Sequence, residues 1–317
     1  MRSIKICILI LTAILAVGCR QKKAEQFVAL PFPDITLPGM LTSPQDAAEY
    51  MAEHFWDVLT DPSREYPSDS LLVSGVSKGD VEQNFANWLS VLDITSLKVV
   101  ERSVARLYDR AIACEKKDTS SNVFDTVVEL SEKYLYDPNS PMRNEEYFLY
   151  FARRMASYEG FAPEIRSKYA FQAGLCSLNR LGTRAADFRF VDRQGRNHTL
   201  YGIEAPLTLL FFSNPGCEAC MNIINMLKSD MKVSDMIASG RMAVLNIYID
   251  EDLQSWMDYM PVYPQEWYNG FDPDLVIRTD NLYSVRAIPS LYLLDGQKRV
   301  IMKDAPEDKV LAWLQEQ

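Results

Sequence analysis

Histidine is almost missing from this chain: His54 and His198 are the only two, far apart in sequence. The six cysteines offer one close pair and no second, so a zinc-type site of about four ligands has nothing to be built from. No metal or other cofactor is expected. A surplus of positive charge is missing too. The formal net charge is −10, and a phosphate backbone needs a basic surface, so nucleic acid is excluded as a partner. The apolar run near the start, residues 6–17, falls short of the roughly 20 residues that span a bilayer. No repeat of fixed period is visible. What is present is a chain of 317 residues, 48% apolar, long enough for two domains with real cores.

Residues 1–18 read as a secretion signal: Arg2 and Lys5 form the charged start, and small residues precede Cys19. Ala16-Val17-Gly18-Cys19 resembles a bacterial lipobox. The resemblance implies that Cys19 becomes an acylated N-terminus and that the membrane is a partner through its lipid. Arg20-Gln21-Lys22-Lys23 lacks an Asp at the second position and lacks an acidic cluster, so a periplasm-facing anchor is expected. Residues 19–42, with Pro31, Pro33, Pro38 and Gly39, read as an extended tether.

Residues 43–181 carry helical periodicity almost throughout, and an all-α domain is expected. Ser43-Pro44 opens one stripe (Ala47, Met51, Phe55, Val58), and Val81, Phe85, Trp88 and Leu92 make a second. A third runs from Leu97 to Cys114, a fourth starts at Ser140-Pro141, and a last one carries Ile165, Tyr169, Ala173 and Cys176. Cys114 and Cys176 both fall on inward stripes. They either pair across two helices or stay as separate buried thiols. Pro141-Met142-Arg143-Asn144-Glu145-Glu146 resembles an uncharacterised helical domain found ahead of thioredoxin-like domains in bacterial lipoproteins, which supplies no function.

The chemistry gathers in residues 182–317. Leu207-Thr208-Leu209-Leu210-Phe211-Phe212 reads as a buried strand that breaks at Ser213-Asn214-Pro215-Gly216. Cys217-Glu218-Ala219-Cys220 follows, and a helical stripe begins (Cys220, Ile223, Ile224, Leu227, Met231). Two thiols at the mouth of a helix face unpaired N–H groups and the positive end of the macrodipole, which favour a thiolate. Cys217 would attack and Cys220, one turn in, would resolve. Downstream, Ala287-Ile288-Pro289-Ser290 leads into a strand, a turn at Asp295-Gly296 and another strand.

This order of elements resembles the thioredoxin fold, and residues 182–317 resemble the TlpA/ResA type of membrane-tethered thioredoxin. The resemblance implies an α/β domain in which Pro289 is cis and Ile288 with Pro289 contacts substrate. It also implies a thiol–disulfide oxidoreductase that takes a disulfide-containing protein as substrate and electrons from an upstream thiol donor. Four positions depart from the family, one of them Ala219, which stands where thioredoxins keep the Pro before the second Cys. Gly216 stands where thioredoxins keep Trp, Phe211 where they keep a buried Asp, and Ile223 where ResA-type proteins place a Glu. No buried proton acceptor is therefore assigned. Glu218 is expected to modulate Cys217, because its charge opposes the thiolate. That favours a reducing couple, nearer about −270 mV than about −120 mV. A peroxiredoxin would need a Thr ahead of the cysteine, and this loop has none. The other reading is a non-catalytic peptide- or protein-binding module. The aromatics of residues 251–279 supply core to an added helix and strand, and the sharper reading is that Trp267, Tyr268 and Phe271 wall a substrate groove beside Cys217.

Overall fold

The computed structural model describes residues 28–66 and 71–317. The expected signal, Cys19 and the first part of the tether lie outside the described residues. The rest of that stretch is docked: Phe32 packs on Phe55 and Trp56, with ring centroids 5.7 and 5.5 Å apart. Among the described residues no helix is long and apolar enough to cross a membrane.

The first region begins with α1 (Pro44–His54), where the Ser43 hydroxyl accepts from the Asp46 N–H at 3.4 Å. The short strands β1 (Leu72–Val73) and β2 (Val76–Ser77) come next. Then come α2 (Lys78–Leu92), α3 (Leu97–Lys117) and α4 (Val123–Ser131), which runs into a π-helical turn at Glu132–Tyr136. The region closes with α5 (Glu145–Ser157) and α6 (Pro163–Cys176). The strand pair means the region is helical but not strictly all-α. Ser74 and Gly75 both take positive φ (48° and 79°), the type I′ pattern that folds a two-residue hairpin. Ile165, expected on the inward stripe of α6, is 42% exposed in the helix's first turn, and two further expectations differ. Val58 is 51% exposed because α1 stops at His54. The helix expected from Ser140-Pro141 starts at Glu145, because Asn144 caps it while the Ser140 hydroxyl donates to the Tyr134 carbonyl. A single apolar cluster, with Trp56, Phe85, Trp88 and Phe151 near its centre, holds the region together.

The second region is a thioredoxin-like α/β unit. Its elements are β3 (Arg189–Asp192), β4 (Asn197–Thr199), β5 (Leu207–Phe212), α7 (Glu218–Ser229), α8 (Met231–Ala238) and β6 (Met242–Tyr248). After these come α9 (Leu253–Tyr259), β7 (Tyr268–Phe271), α10 (Val276–Thr279), β8 (Ser290–Asp295), β9 (Val300–Met302) and α11 (Glu307–Gln315). The seven-stranded mixed sheet has the order β4-β3-β7-β6-β5-β8-β9. Central strands are apolar on both faces because both faces are covered. Leu209, Phe211, Val244, Leu291 and Leu293 face α7 and α11, whereas Leu210, Phe212, Leu245, Tyr292 and Leu294 face Phe188, Ile277 and Tyr283. On α7 the buried face is Cys220, Ile223, Ile224 and Leu227. Burial of each aliphatic side chain there contributes about 1.5–3 kcal/mol. Met231, expected on the same stripe, is 83% exposed, because the helix breaks at Asp230, whose carboxylate caps α8.

Candidate active site around Cys217 and Cys220

β5 ends at Phe212, which pairs with Ile247 on one side and Ser290 on the other. The chain then turns through residues 213–216. Gly216 takes φ +72°, a left-handed conformation that a Trp at this position would adopt only with strain. Cys217 is the N-cap of α7, and its sulfur accepts from the Cys220 N–H at 3.2 Å, where helices ordinarily use Ser, Thr, Asn or Asp. The two cysteines are joined as a disulfide with Cα atoms 5.2 Å apart. Cys217 is half-buried and Cys220 is 1% exposed, so one sulfur can be reached from outside and the other only through it. Glu218 lies exposed in the first turn, where its charge also suits the helix N-terminus.

The Ile288–Pro289 peptide bond is cis. Because Ser290 pairs with Phe212, Pro289 lies level with the start of the loop that carries the dithiol. Cys217 and Ile288 pack against one apolar cluster. Among the described residues, no hydrogen bond engages the main chain of Ala287 or Ile288. The residues around them are tied down on both sides. Ser284 and Arg286 donate to Glu145 at 2.7 and 2.8 Å, and Arg286 and Ser290 donate to Asp304 at 2.9 and 2.8 Å. One carboxylate comes from the helical region and one from the sheet region. Burial pushes the Asp304 carboxyl up, against the pull of the Arg286 guanidinium. Lys303 completes the junction: its ammonium lies 2.8 Å from Glu145 and donates to the carbonyls of Cys176 and Leu178, capping the end of α6.

Beneath the dithiol loop, Phe211 and Ile223 are apolar and buried. The polar groups there are uncharged. The Ser213 hydroxyl donates to Asn246, and the Asn246 amide donates to Asn269 at 3.0 Å. Burial pushes the nearby Tyr263 hydroxyl up to about 12. The carboxylate that touches the loop is Asp250, which accepts from the Asn214 amide at 2.7 Å and also pairs with Arg278. Sequence reasoning missed this chain of contacts, since it joins separate segments. The one available signal was Asn246, a polar residue inside a fully buried strand, which must find partners.

The aromatic wall goes elsewhere than expected. Trp267 is buried beside Leu227 and Ile237 near the far end of α7. Tyr268 lines a separate cleft with Asp192 and Arg196, and Phe271 packs edge-on against Trp256 at 5.0 Å. Cys114 and Cys176 are unpaired and buried.

Similarity to known proteins divides along the same line. A family described as a domain of unknown function (DUF5106) matches residues 17–177, which stop short of the dithiol. The crystal structure of a thioredoxin-like protein from Bacteroides caccae is 32% identical and superposes with a TM-score of 0.78, covering 91% of this chain and 99% of that one. The C-terminal domain of an uncharacterized protein from Bacteroides fragilis is 45% identical over 43% of this chain and 98% of its own, at a TM-score of 0.42. A domain of a possible thiol-disulfide isomerase from Cytophaga hutchinsonii is 21% identical over 44% of this chain and 94% of its own, at 0.37. Superpositions as loose as these last two carry no functional weight. No curated protein matches.

Proposed function

This chain belongs to the DUF5106 family, and since the matched residues end before the dithiol, we propose a function from the site itself: thiol–disulfide oxidoreductase, reducing protein disulfides through Cys217 and Cys220. The observation that carries the reading is the pairing of a half-buried sulfur with a fully buried one at a helix N-terminus, level with a cis-prolyl peptide whose preceding main chain is unpaired. In the reduced protein the Cys217 thiolate attacks one sulfur of a client disulfide. That bond breaks, the departing client thiolate takes a proton, and a mixed disulfide through Cys217 remains. Cys220 loses its proton and attacks the Cys217 sulfur, releasing the second client thiol. Two electrons and two protons pass to the client, and Cys217–Cys220 is left oxidised, to be reduced again by an upstream thiol donor. Ile288 offers its main chain to the client, and Pro289 holds that edge clear of the sheet.

The finer assignments belong to the same proposal. The C-terminal region is of the TlpA/ResA type, Glu218 biases the couple toward reduction, and acylated Cys19 anchors the chain at a periplasm-facing membrane. The test is trapping. With Cys220→Ser the resolving step is lost, so incubation with an envelope extract should accumulate a client linked through Cys217 and released by dithiothreitol. If the trap stays empty while the same variant reacts with small disulfides, the domain is a binding module and the enzymatic reading fails.

A further inference from the structure

A groove of about 480 Å³ lies between the helical region and the sheet region, with Ala287 and Ile288 among its lining residues. Its volume lies inside the range of ligand clefts, about 300–1,000 Å³. Phe171 and Leu175 line one wall, four residues apart on α6 and so on one face. Ile277, Val285 and Ile288 line the other. Phe171 is 63% exposed, while its neighbours Gln172 and Ala173 turn inward and are buried. The rim pair Asp250–Arg278 is self-neutralising, and Arg286, which also lines the groove, is committed to Glu145 and Asp304. What the groove offers is a pair of apolar walls beside the unpaired main chain of Ala287 and Ile288. An extended polypeptide answers both features: its own N–H and C=O groups pair along an open edge, and alternate side chains reach opposite walls.

We propose that α6 supplies the specificity wall of the redox site. Phe171 and Leu175 contact an extended segment of the disulfide-bearing client, one with apolar side chains next to its cysteine. The proposal rests on the oxidoreductase reading and adds a substrate class to it. The helical region is then half of the binding site, and the Glu145 bonds to Ser284 and Arg286 are what hold the two halves at groove spacing.

The experiment compares two disulfides as substrates for the reduced full chain. One is glutathione disulfide. The other is the disulfide-linked dimer of a nonapeptide with one central cysteine flanked by Leu and Val. Each turnover converts one substrate disulfide to two thiols and oxidises one Cys217/Cys220 pair, so stopped-flow mixing yields a second-order rate constant for each. Phe171→Asp is expected to slow the peptide reaction tenfold or more and to leave glutathione disulfide within twofold of wild type, while Phe171→Leu keeps most of the peptide rate. Phe171→Gln, matched to wild type in thermal midpoint, guards against a folding defect and should show the same selective loss. Equal rates for variant and wild type, or equal losses on both substrates, overturn the specificity wall. So does a Phe171→Asp protein that differs from wild type only in sedimentation, which would make the groove a contact between copies. A wild type that reduces neither disulfide overturns the oxidoreductase reading itself.

Discussion

Four cysteines fall among the described residues, and their surroundings divide them sharply. Cys176 is fully buried, and burial, with the Glu145 charge adding to it, pushes its thiol up to about 12. At pH 8 only roughly one such thiol in ten thousand is ionised. Burial raises the Cys114 thiol as well, with Arg110 pulling the other way. Cys217 instead sits half-buried at a helix N-terminus, where oriented N–H groups favour a thiolate. After gentle reduction, iodoacetamide at pH 8 should therefore modify Cys217 first, and Cys114 and Cys176 only once the chain is unfolded. Peptide mass spectrometry over a time course reads this directly, and comparable labelling of Cys176 in the native protein would contradict it. The Cys217/Cys220 pair was legible in the sequence because spacing and helix period are local. Whether Cys114 and Cys176 paired was not, since it depends on where two helices lie relative to one another.

At the scale of elements, helix starts are decided by which side chain reaches the free N–H groups. Ser43 and Ser96 cap α1 and α3 where the stripes begin. At α5 the proline at 141 misleads. The Asn144 side chain accepts from Glu146 and Tyr147 at 3.1 and 3.2 Å, which sets the first turn four residues later. This puts Glu145 and Glu146 at the positive end of the helix. Asn144→Ala should cost about 1 kcal/mol of stability, seen as a lower urea midpoint at unchanged slope, and Asn144→Ser should restore most of it. The β8–β9 turn was the easier case. Asp295 accepts from the Gln297 and Arg299 N–H groups at 2.8 and 2.7 Å, a contact that spans four residues and needs no distant partner.

The whole molecule is held by charges that neither region satisfies alone. Glu145 is 1% exposed and faces Arg286 and Lys303 of the other region. Arg143 donates to the Asp304 carbonyl at 3.0 Å across the junction, while Glu146 takes a forked pair of bonds from Arg180 of its own region at 2.7 and 3.0 Å. Buried pairs of this kind add little over well-packed apolar groups, but removing one partner strands the others. Glu145→Ala should lower unfolding free energy by roughly 3–5 kcal/mol. A loss below about 1 kcal/mol on chemical denaturation would mean that the cluster does not hold the regions together. Arg143 and Glu145 stood in the sequence within a motif without a role. Their role is visible only across the junction.

Local rules, acting over a few residues, determined the elements: the helical stripes, the doubly apolar strands, the dithiol at a helix mouth, and the turn at Asp295. Each depends on side-chain period or on bonds that close within about one turn, so the order of residues contains all that is needed. Tertiary structure alone decided which elements meet. Glu145 and Arg286 are 141 residues apart, and Arg143 and Asp304 are 161 apart. Phe171 and Ile288 line one groove because the two regions meet there. No periodicity encodes such distances. They arise from burying complementary charges and apolar faces at once, a condition set by where both regions lie in space.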